Sequence, residues 1–108
     1  MRQTVIVDCS HITDWVSFHD VFDAAFGFPD FYGRNRDAWI DCMTRLDEDF
    51  SKVRVAPGEV LTLRLENTNA LEKSAPDILA NLLEMAGFVN DRRTGIGQPP
   101  VLQISRSA

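Results

Sequence analysis

The run VLTLRL, residues 60–65, decides the fold, because it reads as a strand with helical sequence on both sides of it. Upstream, TVIVDC at residues 4–9 alternates and is rich in β-branched side chains, as expected of a first strand. Downstream, VLQIS at residues 101–105 reads as the last strand. Two helical patterns separate the first strand from the second, and one or two separate the second from the third. Helical crossovers between consecutive strands favour a parallel sheet with right-handed connections. The expectation is a single small α/β domain over residues 1–108, with a three-stranded parallel sheet packed with helices.

The helices are read from apolar residues at 3.6-residue spacing. Trp15, Phe18, Phe22, Ala25 and Phe26 form one face after a cap at Thr13 or Asp14, and Gly27 is a natural stop. A turn-rich loop, GFPDFYGRNR at residues 27–36, leads to Asn35, a good cap for a helix running to about Leu46. There the stripe is Ala38, Trp39, Cys42, Met43 and Leu46, which leaves Ile40 off the core. The connection DEDFSKVRVAPGE is polar, with room for a short strand at Val53–Val55. One helical turn fits Asn67–Lys73. Ser74 followed by Pro76 and Asp77 opens a helix that carries Ile78, Leu79, Leu82, Leu83 and Met85 and stops near Gly87. Arg92–Pro100 is expected to be a second loop.

The whole chain has 108 residues, 44% of them hydrophobic and 25% charged, which excludes a disordered, collagenous or disulfide-scaffold protein. Its net charge of −5 argues against direct nucleic-acid binding, which needs a basic surface. The charge is also polarised. Residues 1–49 carry ten acids and four arginines, a balance of −6, while residues 50–108 carry six acids and seven bases, a balance of +1. An acidic first half would draw a cationic partner and speed the encounter.

Chemistry for an enzyme is sparse. The two histidines, His11 and His19, lie beside a turn and within the first helix. Neither a nucleophile elbow nor a phosphate-binding loop occurs, and Gly95-Ile96-Gly97 follows a helix instead of a strand. Cys9 and Cys42 are too few for a disulfide framework or a zinc site, so no cofactor and no metal are expected. The opening MRQTVIVDCS has the character of neither a signal peptide nor a membrane span, so a cytoplasmic location is expected.

Asp37 and Asp41 stand out, because a spacing of four places both on one helix face. Like charges there cost an isolated helix about 0.2–0.5 kcal/mol. An ion pair from Asp41 to Arg45 on a solvated face is the bland reading. The functional one presents two carboxylates to a cation-rich partner, with Ile40, Phe31 and Tyr32 as apolar anchors.

FPDFYGRNRDAWIDCM, residues 28–43, resembles the signature of the barstar family, intracellular inhibitors of secreted microbial ribonucleases. Pro29, Asp30, Tyr32, Gly33, Asn35, Asp37, Ala38, Asp41 and Cys42 match that pattern without a gap. The resemblance implies three parallel strands with helices around them, and no catalysis. It implies that Asp41 enters the phosphate site of a basic ribonuclease, that Asp37 engages an adjacent arginine or the edge of the base site, and that Glu84 adds a further charge. Phe31, Tyr32 and Gly33 would lie against the enzyme, with Asn35 and Thr44 as polar rim contacts. Ile40 and Leu46 stand where tryptophans are found in the family's prototype, and Arg34 and Arg36 add positive charge beside the acidic pair, which together imply a different cognate enzyme. An immunity protein against another toxin nuclease, or a small hydrolase using the helix carboxylates, are the alternatives. The free protein is expected to be a monomer with no membrane contact.

Overall fold

The computed structural model describes residues 3–108. Strand β1 spans Gln3–Asp8, helix α1 Trp15–Phe26, helix α2 Arg36–Thr44, and strand β2 Leu61–Glu66. Helix α3 covers Thr68–Ser74, helix α4 Pro76–Gly95, and strand β3 Leu102–Arg106. A 3-10 turn over Cys9–His11 links β1 to α1. The strands pair in the order β1-β2-β3 and both pairings are parallel, as the helical crossovers predicted. The two leading residues, Met1 and Arg2, lie outside the described residues.

The register explains where the core lies. Val5 stands opposite Leu63 and Val7 opposite Leu65, while Leu61 and Leu63 face Leu102 and Ile104. Those side chains point to the helix layer. On the other face Thr4, Ile6, Arg64, Gln103 and Ser105 are exposed. The helices therefore cover one face of the sheet instead of surrounding it, and the strands alternate apolar and polar as a one-sided sheet requires.

Helix α1 starts where the Asp14 side chain accepts the Ser17 N–H at 2.8 Å, and the Asp14 N–H donates back to the Ser17 hydroxyl. It stops at Gly27, whose φ of +61° is open to glycine at little cost. Phe18, Phe22 and Trp39 meet in the core, with Phe22 edge-on to Trp39 at 5.5 Å.

Four local expectations need correction. No strand forms at Val53–Val55; the Val53 and Val55 N–H groups donate instead to Phe26 and Leu46 carbonyls, at 3.1 and 2.9 Å, next to helix ends. Helix α4 does not stop at Gly87 but runs to Gly95, because Val89 and Arg93, two and six residues farther on, are buried. The loop expected at Arg92–Pro100 is correspondingly shorter. Ser74 ends α3 instead of capping α4, whose cap position is Ala75, with Pro76 at its first turn.

Candidate protein-binding face

Asn35 sets the start of α2, since its side-chain oxygen accepts the Ala38 N–H at 2.8 Å. Asp37 follows in the first helical turn, where the helix dipole favours an anion. One turn on, Asp41 is exposed on the same side. Its carboxylate lies 3.7 Å from the Arg45 guanidinium, the ion pair expected from their spacing. Asp37 has no ion-pair partner among the described residues. Two exposed carboxylates therefore stand one turn apart, on a helix packed against α4 and, through Trp39, against Phe18 and Phe22 of α1.

The two added arginines are drawn away from this pair. Arg34, in a left-handed conformation at φ +53°, pairs with Asp20 of α1 at 2.5 Å. Arg36 pairs with Glu84 of α4, donates to the Asn81 side chain, and sits 5.6 Å from the centre of the Phe88 ring. Glu84 is thus exposed on α4 and already shares its charge with Arg36.

Two of the expected apolar anchors are placed differently. Ile40 is only 5% exposed, and the expectation that it stands off the core is corrected. Helix α2 is packed on two sides, by the aromatics of α1 and by α4, so its buried arc spans Trp39, Ile40, Cys42 and Met43 instead of one narrow stripe. Tyr32 is also buried, at 8% exposure, and its hydroxyl meets Nδ1 of the buried His19. Burial pushes the Tyr32 phenol up and the His19 imidazole down from their ordinary values. Phe31 remains free to touch a partner, 70% exposed at the loop tip. Gly33 is exposed, and a Cβ there would be 3.4 Å from the Asn35 side-chain nitrogen. Thr44 is half-buried, with its hydroxyl donating to the Ile40 carbonyl at 2.6 Å.

Neither Asp37 nor Asp41 lines either of two clefts on the surface. One, of about 480 Å³, is bordered by Asp20, Asp23, Asp30 and Lys52; the other, of about 320 Å³, by Asp47, Arg54 and Pro57. Among the described residues no group of His, Cys, Asp and Glu side chains is arranged to hold a metal ion, and no helix is long and apolar enough to cross a membrane. Cys9 and Cys42 are free and buried, and burial pushes the Cys9 thiol up to about 11.

With this geometry in place, the sequence profile described as barstar, barnase inhibitor, matches residues 2–103. The chain belongs to the barstar family. The match takes in all three strands and four helices except the last residues of β3. A search of curated proteins finds no match. Family membership is legible in residues 28–43 alone, whereas Glu48 and Phe50, which join the Asp41–Arg45 pair, went unread. The i,i+3 spacing of Arg45 and Glu48 and a lone phenylalanine in a polar connection were their signals.

Proposed function

We propose that this barstar-family chain is an intracellular inhibitor that blocks the basic active site of a barnase-type ribonuclease with the outer face of α2 and the loop before it. One observation carries the reading: Asp37 and Asp41 stand exposed one turn apart on a braced helix, in a family described as inhibiting barnase. A ribonuclease binds phosphates and stabilises negative charge as it cleaves, so its site must be basic. Carboxylates held at phosphate-like positions fill such a site without offering a bond to cleave. Asp41 takes the phosphate position, Asp37 an adjacent cation, and Glu84 a further one, in exchange with Arg36. Phe31 supplies apolar contact, Gly33 lets the backbone approach closely, and Asn35 and Thr44 lie at the rim. Tyr32 and Ile40 act from behind, fixing the loop and the helix.

Two exposed carboxylates on the outer face of a helix suit insertion into a partner's cleft better than catalysis, which needs a cleft of the protein's own that excludes water. The two free, buried cysteines are compatible with a reducing cytoplasm. The test is titration of a barnase-type ribonuclease with the purified protein, following RNA cleavage. The expected result is loss of cleavage at one equivalent. Association should slow steeply as salt rises to 0.15 M, where screening shortens to about 8 Å. Full cleavage at large excess of protein would refute a barnase-type target, and inhibition of another basic nuclease would then identify an immunity protein.

A further inference from the structure

Arg45 stands where α2 passes into the connection to β2, and three groups surround its guanidinium. Its Nε and Nη2 donate to the two oxygens of Glu48, at 2.8 and 3.3 Å. Nη1 lies 3.7 Å from Oδ2 of Asp41, and Cζ sits 4.5 Å from the centre of the Phe50 ring. Phe31 meets Phe50 edge-on at 5.8 Å, so the ring has an aromatic neighbour as well as the guanidinium. Two carboxylates and an aromatic face are the chemistry that receives a guanidinium: a fork of hydrogen bonds, a second charge and a stacking surface.

The seat is nonetheless open to water. The side chains of Arg45, Asp41 and Glu48 are 42%, 52% and 46% exposed. Exposed ion pairs of this kind hold weakly, so Arg45 can be exchanged for a cation that brings other contacts with it. We propose that Asp41, Glu48 and Phe50 form a guanidinium-binding site, occupied by Arg45 in the free protein and taken by an arginine of the partner in the complex. This rests on the reading that Asp41 faces a basic partner. Arg45 then acts as a specificity determinant. It competes with every incoming cation, and it favours arginine over lysine, because an ammonium is a point charge that neither forks nor stacks.

A tetra-arginine peptide amide, with tetra-lysine as its comparator, tests the site without any nuclease, by NMR titration of the full chain. Arg45→Gln should bind tetra-arginine about twofold to fivefold more tightly than the parent, with shifts centred on Glu48 and Phe50. Arg64→Gln removes the same charge from the open sheet face and should gain less. Adding Phe50→Leu to Arg45→Gln should erase the preference for arginine over lysine. An Arg45→Gln gain no larger than that of Arg64→Gln would overturn the proposal, as would an arginine preference that survives Phe50→Leu. A barnase-type ribonuclease that fails to bind the parent would overturn the functional reading alone. The peptide results would still establish the site.

Discussion

Arg93, near the end of α4, donates to the carbonyl of Thr44, the last residue of α2, at 3.2 Å. The same guanidinium pairs with Asp47 at 3.0 Å and is 4% exposed, with its Nε unpartnered. A cation is thereby held against the negative end of the helix that carries Asp37 and Asp41, and it ties that helix to α4.

Arg93 should accordingly be the costliest charged residue to remove. Arg93→Met keeps the apolar stem but leaves Asp47 and the Thr44 carbonyl without their donor. The loss expected is about 2–4 kcal/mol, below that of a fully buried pair because Asp47 keeps some contact with water. Arg93→Lys should recover only part, since Nη1 alone reaches both acceptors and the shorter lysine stem places its ammonium short of that position. Urea unfolding measures both, and a change under about 0.5 kcal/mol for Arg93→Met would show that the clamp does not hold α2.

This clamp also shows where the sequence stopped being readable. Periodicity located the three strands, α1, α2 and the first part of α4, because each buries one apolar face and leaves a repeat of 2 or 3.6 residues. Gly87 looked like a helix stop, yet nothing lies within 4 Å of a Cβ built there and the helix continues because Val89 and Arg93 find burial beyond it. Whether a charged residue is buried depends on partners 46 and 49 positions away, Asp47 and Thr44, and no local pattern encodes that. The acidic pair of α2 was legible because i,i+4 geometry is local. Ile40 and Tyr32 were misplaced for the opposite reason, since their burial is decided by α4 and by His19.

Gly27 offers a second test of stability. Its φ of +61° is left-handed, and a Cβ there would lie 2.6 Å from Cγ of Lys52. Gly27→Ala should cost about 2–4 kcal/mol, from the left-handed backbone and from Lys52, whose Cβ would lie 2.7 Å away and moves only with its own backbone. Thermal unfolding of the variant checks it, and an unchanged midpoint would mean that the end of α1 relaxes freely.

The His19–Tyr32 contact predicts a pH dependence. Burial holds the His19 imidazole below its ordinary value of 6.5, Arg34 pushes the same way, and Asp20 opposes them. The unfolded chain therefore binds a proton near 6.5 that the folded chain binds only at lower pH. Stability from this group is full above 6.5 and falls as pH drops below it. Asp8 contributes in a separate window: hydrogen bonds from Ser10 and Asn67 hold its carboxyl down to about 2, so its share is lost as pH falls from 3.8 towards 2. Thermal midpoints between pH 8 and pH 5 should decline below 6.5 in the parent and stay flatter in His19→Gln. Equal slopes would show that His19 does not titrate across folding.

Asp41 is where binding and stability should separate most clearly. Its only ion pair among the described residues is the 3.7 Å contact with Arg45, and Arg45 keeps its closer fork to Glu48 when Asp41 is gone. Exposed pairs of this kind contribute about 0–1 kcal/mol, so Asp41→Ala should unfold within about 0.5 kcal/mol of the parent. In a complex, Asp41 would be among the most desolvated groups, at the centre of the face formed by Asp37, Thr44 and the loop tip. Its removal would leave buried cations of the partner unpaired, and truncations of that kind cost about 2–5 kcal/mol, a range general to protein interfaces. Urea unfolding and affinity for a barnase-type ribonuclease, measured side by side on Asp41→Ala, decide the matter. A variant that unfolds much earlier would make Asp41 a structural residue, and one that binds as tightly as the parent would place the contact elsewhere on the protein.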